Sequence, residues 1–451
     1  MVSMLIGMNR KSPFALLGLA GAALFGLALF AAEPETRTLD RREDFVLWTG
    51  EQVPVLIGAE VKDLHLYACG PSGLRPVPFQ ADKRDSEGRY VFPDEKSRNP
   101  ARDGTRLDRN DEMVFMAKDA GDRCPESAWP EAAAKGVEIE LADPLDQGRA
   151  WVYLFDRPGA KAPETADYVR YRVESEEEYI RGEQYEIGQK IGVTYYDWLR
   201  IRKPDGSWSP DVLNRTKVGL KARLLNVGIP INVPEKDMKA VTLGVIDGPV
   251  RVIRDELDLV KIKTISLEWA TEAFYTYYAN GHISPMEADI PLNLHKLFLD
   301  INFYWAMDLN ETLVGSTFRN QANPKGVVLD GKAHSSLDTK SDAAYFAVSG
   351  PQGGLVDALI FDQSLSQLFR PTTLVREELA NPDAPEEHPG QLLVGYWVKS
   401  SGNLPKGVYH WRLFHYYPYP FSERKVQEII NLAEHPVQVS ARPLSLPPPP
   451  H

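Results

Sequence analysis

The sequence lacks the signatures of several common enzyme classes. It contains no H-E-x-x-H pair and no G-x-S-x-G turn, which argues against a catalytic zinc site and against a hydrolase of that class. It has no G-x-G-x-x-G after a strand pattern and no phosphate-binding loop ending in Gly-Lys-Ser or Gly-Lys-Thr. Nothing in the sequence therefore indicates nucleotide chemistry.

Excess positive charge is also missing, and cysteine is scarce. The formal net charge of −12 argues against a nucleic-acid partner, because phosphate contacts need clustered Lys and Arg. Cys69 and Cys124 form no C-x-x-C motif, so neither a thioredoxin-type redox site nor a covalent c-type haem is indicated. In an exported protein two cysteines are more often joined than free, so we predict a Cys69–Cys124 disulfide, with two separate buried thiols as the alternative.

The first 32 residues have the pattern of a targeting segment. Asn9-Arg10-Lys11 is positively charged, and the almost unbroken apolar run from Phe14 to Ala32 follows it. This pattern predicts a signal peptide, with an uncleaved N-terminal anchor as the alternative. Either interpretation places the chain from Glu33 onward in the periplasm or outside the cell, and an uncleaved segment would anchor it to the inner membrane.

The remaining chain predicts an all-β protein. Short apolar segments such as Phe45–Trp48, Val53–Ile57 and Gly407–Tyr416 alternate with Gly, Pro and Asp, which favours a large antiparallel β-sandwich of the super-sandwich type. A linker pattern at 157–163 divides an N-terminal β domain (33–157) from a larger β-sandwich domain (164–442). A Pro-rich tail follows at 443–451.

One helix is predicted near the C-terminus. Ser422 can cap it, apolar residues recur at helical spacing, and His435-Pro436 ends it. The apolar positions are Val426, Ile429, Ile430 and Ala433. Such an isolated helix is expected to pack on a sheet.

Oxygen-bearing side chains cluster in the stretch from Pro78 to Gly121. Because Ca²⁺ binds about six to eight oxygen ligands, this grouping suggests a possible Ca²⁺ site, with Asp82 approaching if the flanking strands pair. The proposed ligands are Asp82, Asp108, Asn110, Asp111 and Glu112. The alternative is turn chemistry, in which Asp and Asn side chains accept hydrogen bonds from nearby backbone N–H groups. Ca²⁺ binding would raise the melting temperature of chelator-treated protein.

Aromatic residues are dense on the predicted strand Gly407–Tyr416. Strand alternation places His410, Arg412, Phe414 and Tyr416 on one face. A cationic, hydrogen-bonding and aromatic face is suited to an anionic sugar, so these four residues are the candidate ligand-binding set. The alternative is that the aromatic residues only fill a sandwich core.

Carboxylates elsewhere offer a possible catalytic pair. Asp255, Glu256, Glu268 and Glu272 are the candidates. A glycosidase needs two carboxyl groups at a defined separation, which a sequence does not supply. Surface charge is the alternative interpretation.

Two short blocks carry a resemblance to known proteins. Phe79-Gln80-x-Asp82 together with Asn110-Asp111-Glu112-x-Val114-Phe115-x-Ala117-x-Asp119-x-Gly121 resembles a group of exported bacterial β-rich proteins of unassigned function. Asp247-Gly248-Pro249-Val250-Arg251-Val252 resembles a turn and strand of galactose-mutarotase-like β-sandwich domains, which often bind or act on carbohydrate. No catalytic His or Glu of such an enzyme matches a position here.

These observations predict an exported protein that binds a carbohydrate or another cell-envelope ligand, with Ca²⁺ as possible support and no required cofactor. A polysaccharide lyase or glycoside hydrolase on the same fold is one alternative. It would be favoured by a cleft that holds Tyr, His or Arg beside paired carboxylates. An envelope assembly or scaffold subunit is the other.

Overall fold

The computed structural model describes residues 35–94, 97, 99, 104–130, 133–225, 227–262, 267–290, 292–380, 388, 390–400 and 404–446. The predicted targeting segment and most of the predicted tail lie outside the described residues. Within them the protein has five antiparallel sheets and two α-helices. The predicted all-β fold with a C-terminal helix is thereby confirmed.

Residues 35–156, predicted to be the N-terminal domain and called by that name below, contain two small sheets. Its strands are Phe45–Thr49 (β1), Leu64–Gly70 (β2), Gly73–Pro76 (β3), Gln80–Asp82 (β4), Glu112–Met116 (β5), Lys135–Ala142 (β6) and Arg149–Asp156 (β7). One sheet has the order β1-β5-β4, and the other includes β6-β7-β2-β3. Alternating apolar residues of both sheets form a core of their own.

The large domain is built from longer strands. They are Arg170–Glu174 (β8), Glu177–Arg181 (β9), Tyr185–Lys190 (β10), Trp198–Ile201 (β11), Leu213–Leu224 (β12), Pro230–Pro234 (β13), Met238–Asp247 (β14), Val252–Ile262 (β15), Leu267–Tyr277 (β16), Gly281–Ile290 (β17), Phe298–Leu309 (β18), Thr317–Asn320 (β19), Asn323–Val328 (β20), Tyr345–Gly350 (β21), Gly353–Phe361 (β22), Phe369–Glu378 (β23), Gln391–Ser400 (β24) and Gly407–Tyr416 (β25). The α-helices are Gln363–Ser366 (α1) and Glu423–Glu434 (α2), and Gln438–Pro443 (β26) ends the described fold.

Three sheets enclose the main core of the large domain. The nine-stranded sheet has the order β14-β15-β16-β17-β25-β22-β21-β19-β20, and the five-stranded sheet has the order β13-β12-β18-β24-β23. A four-stranded sheet has the order β11-β10-β9-β8. Ile187, Met307 and Leu413, one from each sheet, are buried in one contiguous cluster. The nine-stranded sheet thus has an inner face toward this core and an outer face.

The N-terminal domain and α2 cover part of that outer face. Phe45 on β1 stacks on Tyr278 with ring centroids 4.3 Å apart. Val114 on β5 and Ile429 on α2 belong to the same buried cluster as outer-face residues of β22 and β25. As predicted, Ser422 caps α2 by accepting a hydrogen bond from the Lys425 N–H, and the apolar stripe of the helix faces the sheet.

One local expectation changes in the structure. The segment 53–57 is not a strand, because Pro54 starts a 3₁₀ turn at Pro54–Leu56. Within β6, Glu138 is buried and pairs with Arg442. Arg442 lies on β26, which pairs with β6. Strand β26, which follows α2 in the chain, therefore belongs to a sheet of the N-terminal domain.

Candidate functional site

The outer face of β25 is divided into a covered half and an open half. Phe414 and Tyr416 are buried beneath the N-terminal domain and α2, at 2% and 1% exposure. His410 and Arg412 lie on the same face, beyond the edge of that cover, and both are exposed. Strand β25 has the predicted bounds, and its side chains alternate between the two faces as predicted. Of the four candidate ligand-binding residues, however, only His410 and Arg412 line a cavity.

This outer cavity has a volume of about 550 Å³ and lies where the two domains meet. Arg89 of the N-terminal domain forms one side, and strands β16, β17, β25 and β22 supply the floor. Phe274 adds aromatic surface, whereas Phe361 and Trp411 border the cavity but pack against the inner core. A cavity at a domain junction with a few convergent polar groups is the usual setting of a ligand site.

Arg412 is the distinctive group in this cavity. On neighbouring strands its direct partners are Pro285 and Ile360, which carry no charge. Among the residues that the structure describes, none forms an ion pair or a hydrogen bond with its guanidinium, which lies 5.5 Å from the centroid of the Phe414 ring. Burial lowers the pKa of Arg412 from its ordinary value. A partly desolvated guanidinium without a counter-charge favours an anionic ligand.

Three carboxylates and a histidine line the same cavity as Arg412. Glu287 lies directly opposite His410 on the adjacent strand, with 3.5 Å between its Oε2 and the His410 Nδ1. Asp362 caps α1 and also accepts the backbone N–H of His410 at 3.0 Å. Glu272 lies on the same wall. The cavity therefore combines a cation and a histidine with carboxylates that can accept hydrogen bonds from hydroxyl groups.

The acidic stretch serves a different purpose from this cavity. Its Gln80 side chain accepts the backbone N–H groups of Val250 and Arg251 at 3.2 and 2.9 Å. Arg251, fully buried just before β15, donates to Asp82 at 2.8 Å and also pairs with Glu112. The two sequence blocks that carry the resemblance thus contact each other and join the two domains.

Protein cations also contact the rest of the stretch. Lys83 Nζ lies 2.6 Å from Asp111 and 3.1 Å from Asp108. Asp111 is buried and accepts the Arg84 backbone N–H, while Asn110 donates to the carbonyl of Asp85. These contacts are turn and ion-pair chemistry. Ca²⁺ binding by Asp82, Asp108, Asn110, Asp111 and Glu112 stays a prediction.

Burial by itself would raise the pKa of Glu112, but Arg251 and Arg84 outweigh burial and lower that pKa to about 2. The phenol of Tyr90 also donates to Glu112 at 2.7 Å. Glu112 therefore stays ionised at neutral pH and holds the Arg251 guanidinium in place. This domain junction is stabilised by charge pairs as well as by apolar packing.

The predicted disulfide between Cys69 and Cys124 is present, with a Cα–Cα distance of 5.5 Å. It encloses a loop of 55 residues that includes β4, β5 and the acidic stretch. In the chain-entropy model a loop of this length contributes about 4 kcal/mol to folding. Disulfides are typical of oxidising compartments such as the periplasm, so this bond agrees with the predicted export.

A second cavity lies on the inner face of the nine-stranded sheet. It has a volume of about 230 Å³, lies between this sheet and the five-stranded sheet, and is lined mainly by apolar side chains. Trp411 and Met286 border both cavities. The inner cavity offers little for a hydrophilic ligand, so the outer cavity is the better candidate site for a sugar.

Sequence reasoning identified only part of the outer cavity. Of the four proposed carboxylates, Glu272 lines it, Asp255 and Glu256 are buried, and Glu268 pairs with Lys261 on the surface. Arg89, Glu287 and Asp362 were missed as cavity residues. Glu287 could have been found by pairing β17 with β25, since it lies opposite His410. Arg89 comes from the other domain, and no local pattern indicates it.

Within the described residues, one group of three His, Cys, Asp or Glu side chains brings its ligand atoms within 4.8 Å of one another, namely Asp330, His334 and Glu377. This group is separate from the outer cavity. None of the helices in the described part of the chain has the length and hydropathy needed to cross a membrane. No protein-family model matches the chain, and no curated protein is significantly similar to it.

Proposed function

We propose that this exported protein binds an acidic carbohydrate in the outer cavity. The observation that carries the proposal is Arg412, whose partly desolvated guanidinium borders a cavity of about 550 Å³ and forms no ion pair with any described residue. A uronate carboxylate supplies the missing anion and can accept two parallel hydrogen bonds from the guanidinium.

The other groups in the cavity suit the rest of a sugar. Phe274 offers aromatic surface to the apolar C–H face of a pyranose ring. Glu272, Glu287 and Asp362 supply carboxylate oxygens that accept hydrogen bonds from hydroxyl groups. The volume lies within the usual range of ligand sites of about 300–1,000 Å³, which accommodates one or two sugar rings.

The test is calorimetric titration with an oligogalacturonate and, separately, with its fully methyl-esterified form. We expect the acidic oligomer to bind and the ester to bind at least about tenfold more weakly, because the ester lacks the charge that Arg412 recognises. Arg412→Gln should remove this preference. The matched control is Arg376→Gln, since Arg376 is exposed on the five-stranded sheet and outside the cavity. Equal affinity for both oligomers, or unchanged binding in Arg412→Gln, would contradict the proposal.

A second candidate function is β-elimination from an acidic polysaccharide, and the His410–Glu287 pair beside Arg412 favours it. Arg412 would neutralise the uronate carboxylate and thereby acidify the adjacent carbon. His410 would take the proton from that carbon. The C–O bond to the next sugar would break at the neighbouring carbon, and the leaving oxygen would take a proton from water.

The ultraviolet absorbance of the unsaturated product distinguishes a lyase from a binding protein. For a lyase, we expect absorbance to rise with acidic polymer, and His410→Gln to reduce the rate at least about 100-fold while leaving binding in place. His388→Gln is the control, because His388 also lies near a carboxylate, Glu311, but outside the cavity. Binding without product formation would leave carbohydrate binding as the function.

A further inference from the structure

A cluster of potential metal ligands lies at one edge of the sandwich, away from the outer cavity. His334 Nε2 is 2.8 Å from Glu377 Oε1 and 3.9 Å from Asp330 Oδ1. All three ligand atoms lie within 4.8 Å of one another. Two carboxylates and one imidazole on so small a surface form a set of ligands that transition metals use in proteins.

The cluster joins the two main sheets. Asp330 and His334 belong to the segment after β20, which is an edge strand of the nine-stranded sheet. Glu377 belongs to β23, an edge strand of the five-stranded sheet. A metal held by all three residues would therefore link the open edges of the sandwich.

Backbone groups orient both carboxylates before any metal binds. Glu377 has a fully buried side chain, and its Oε2 accepts the Gly331 N–H at 2.6 Å, which leaves Oε1 directed at His334. Gly331 reaches this position with a φ of +81°, a conformation that favours glycine. Asp330 Oδ1 accepts the Lys332 N–H at 3.0 Å. Such supporting hydrogen bonds fix the ligands of metal sites and tune their basicity.

Accessibility and charge also suit a metal. The side chain of His334 is 19% exposed and that of Asp330 is 45% exposed, so a solvated ion can reach the cluster. The Lys332 ammonium lies 3.8 Å from Asp330 Oδ2, which is the oxygen that faces away from the imidazole contact. A divalent ion bound by two carboxylates and a neutral imidazole forms a site with no net charge, and water completes its coordination.

We propose that Asp330, His334 and Glu377 form a binding site for a divalent transition metal of the Zn²⁺ type. The imidazole ligand favours Zn²⁺ over Ca²⁺, which binds almost entirely through oxygen. The ion replaces the hydrogen bond between His334 and Glu377.

The test is calorimetric titration of chelator-treated, tag-free protein with ZnCl₂ and with CaCl₂. We expect one Zn²⁺ per chain, a higher melting temperature in Zn²⁺, and no heat of binding at this site with Ca²⁺. His334→Ala and the conservative Asp330→Asn should each weaken Zn²⁺ binding. We expect His334→Ala to lower the affinity at least about 100-fold, because removing only a supporting group of a metal site already lowers affinity by up to about 100-fold.

A matched control comes from the chain itself. His388 lies 3.3 Å from Glu311, and among the described residues no second carboxylate joins this pair, so His388→Ala should bind Zn²⁺ as wild type does. The exposed Asp330→Asn variant is expected to fold normally, so loss of binding there does not reflect unfolding. No Zn²⁺ binding by the wild type, or unchanged affinity in both site variants, would overturn the proposal, as would Ca²⁺ binding as tight as that of Zn²⁺.

Discussion

Two arginines on the same outer sheet face have opposite surroundings. Arg251 is 1% exposed and contacts the carboxylates of Asp82 and Glu112. Arg412 has two uncharged cross-strand partners, Pro285 and Ile360, and no described residue pairs with it. The first guanidinium is enclosed by the N-terminal domain, and the second lies just outside that cover.

Structural and functional charges in this protein can be distinguished by whether the chain itself supplies their counter-charges. A buried cation whose counter-charges are all supplied by the chain has no remaining capacity for a ligand. A partly desolvated guanidinium that forms no ion pair lowers the free energy of unfolding. An anionic ligand that binds it can offset this loss. Arg251 therefore belongs to the domain junction, whereas the surroundings of Arg412 agree with its proposed role in recognition, and the two roles predict different responses to mutation.

The largest effect is expected from Arg251→Met. This change removes the positive charge and leaves Asp82 without its ion pair in a buried position, while Glu112 keeps only Arg84 and Tyr90. Breaking a buried pair in this way costs about 3–5 kcal/mol. Urea unfolding at neutral pH measures the loss.

The control for this experiment is Arg376→Met, because Arg376 is an exposed arginine of the same size on the other sheet. Exposed substitutions usually change stability by less than about 0.5 kcal/mol. If both variants unfold at the same urea concentration as wild type, Arg251 is not a structural charge and the comparison fails.

A smaller effect is expected from the acid titration of Glu112. Its pKa of about 2 in the folded protein lies below the ordinary value of 4.5. The ionised form therefore stabilises the folded state above pH 4.5, and this contribution disappears as the pH falls from 4.5 to 2. The full shift corresponds to about 3 kcal/mol.

Glu112→Gln isolates this contribution from that of other acids. The difference in unfolding free energy between wild type and Glu112→Gln should be largest above pH 4.5 and should shrink toward zero near pH 2. A difference that does not vary over this interval would show that Arg251 and Arg84 do not lower the pKa of Glu112.

Local pattern was sufficient for β25, the strand that carries His410 and Arg412. The bounds of β25 are those predicted, because alternation of apolar and polar residues depends only on neighbours in sequence. The same holds for α2, since its cap and apolar stripe lie within one short segment. By contrast, Pro54 changed a predicted strand into a 3₁₀ turn, because apolar composition alone does not show which backbone N–H groups are available.

Long-range contacts explain what the sequence could not supply. Phe414 and Arg412 share one strand face, yet only the position of the N-terminal domain decides which of them is covered. Gln80 and Arg251 are 171 residues apart, so their hydrogen bond follows from tertiary structure and not from either motif. Arg89 enters the cavity from a loop of the other domain for the same reason.

The smallest change in stability is expected where a partner is added to Arg412. Pro285 lies directly opposite Arg412 on β17, so Pro285→Glu places a carboxylate beside the guanidinium. An exposed ion pair of this kind contributes about 0–1 kcal/mol, so the urea midpoint should hardly move. Binding of the acidic oligosaccharide should nevertheless be lost, because the added carboxylate takes the place of the ligand's. Pro285→Gln, which changes the backbone identically without adding charge, should retain binding. If Pro285→Glu binds as tightly as Pro285→Gln, Arg412 does not recognise the anion, and its lack of a partner in the fold has no functional meaning.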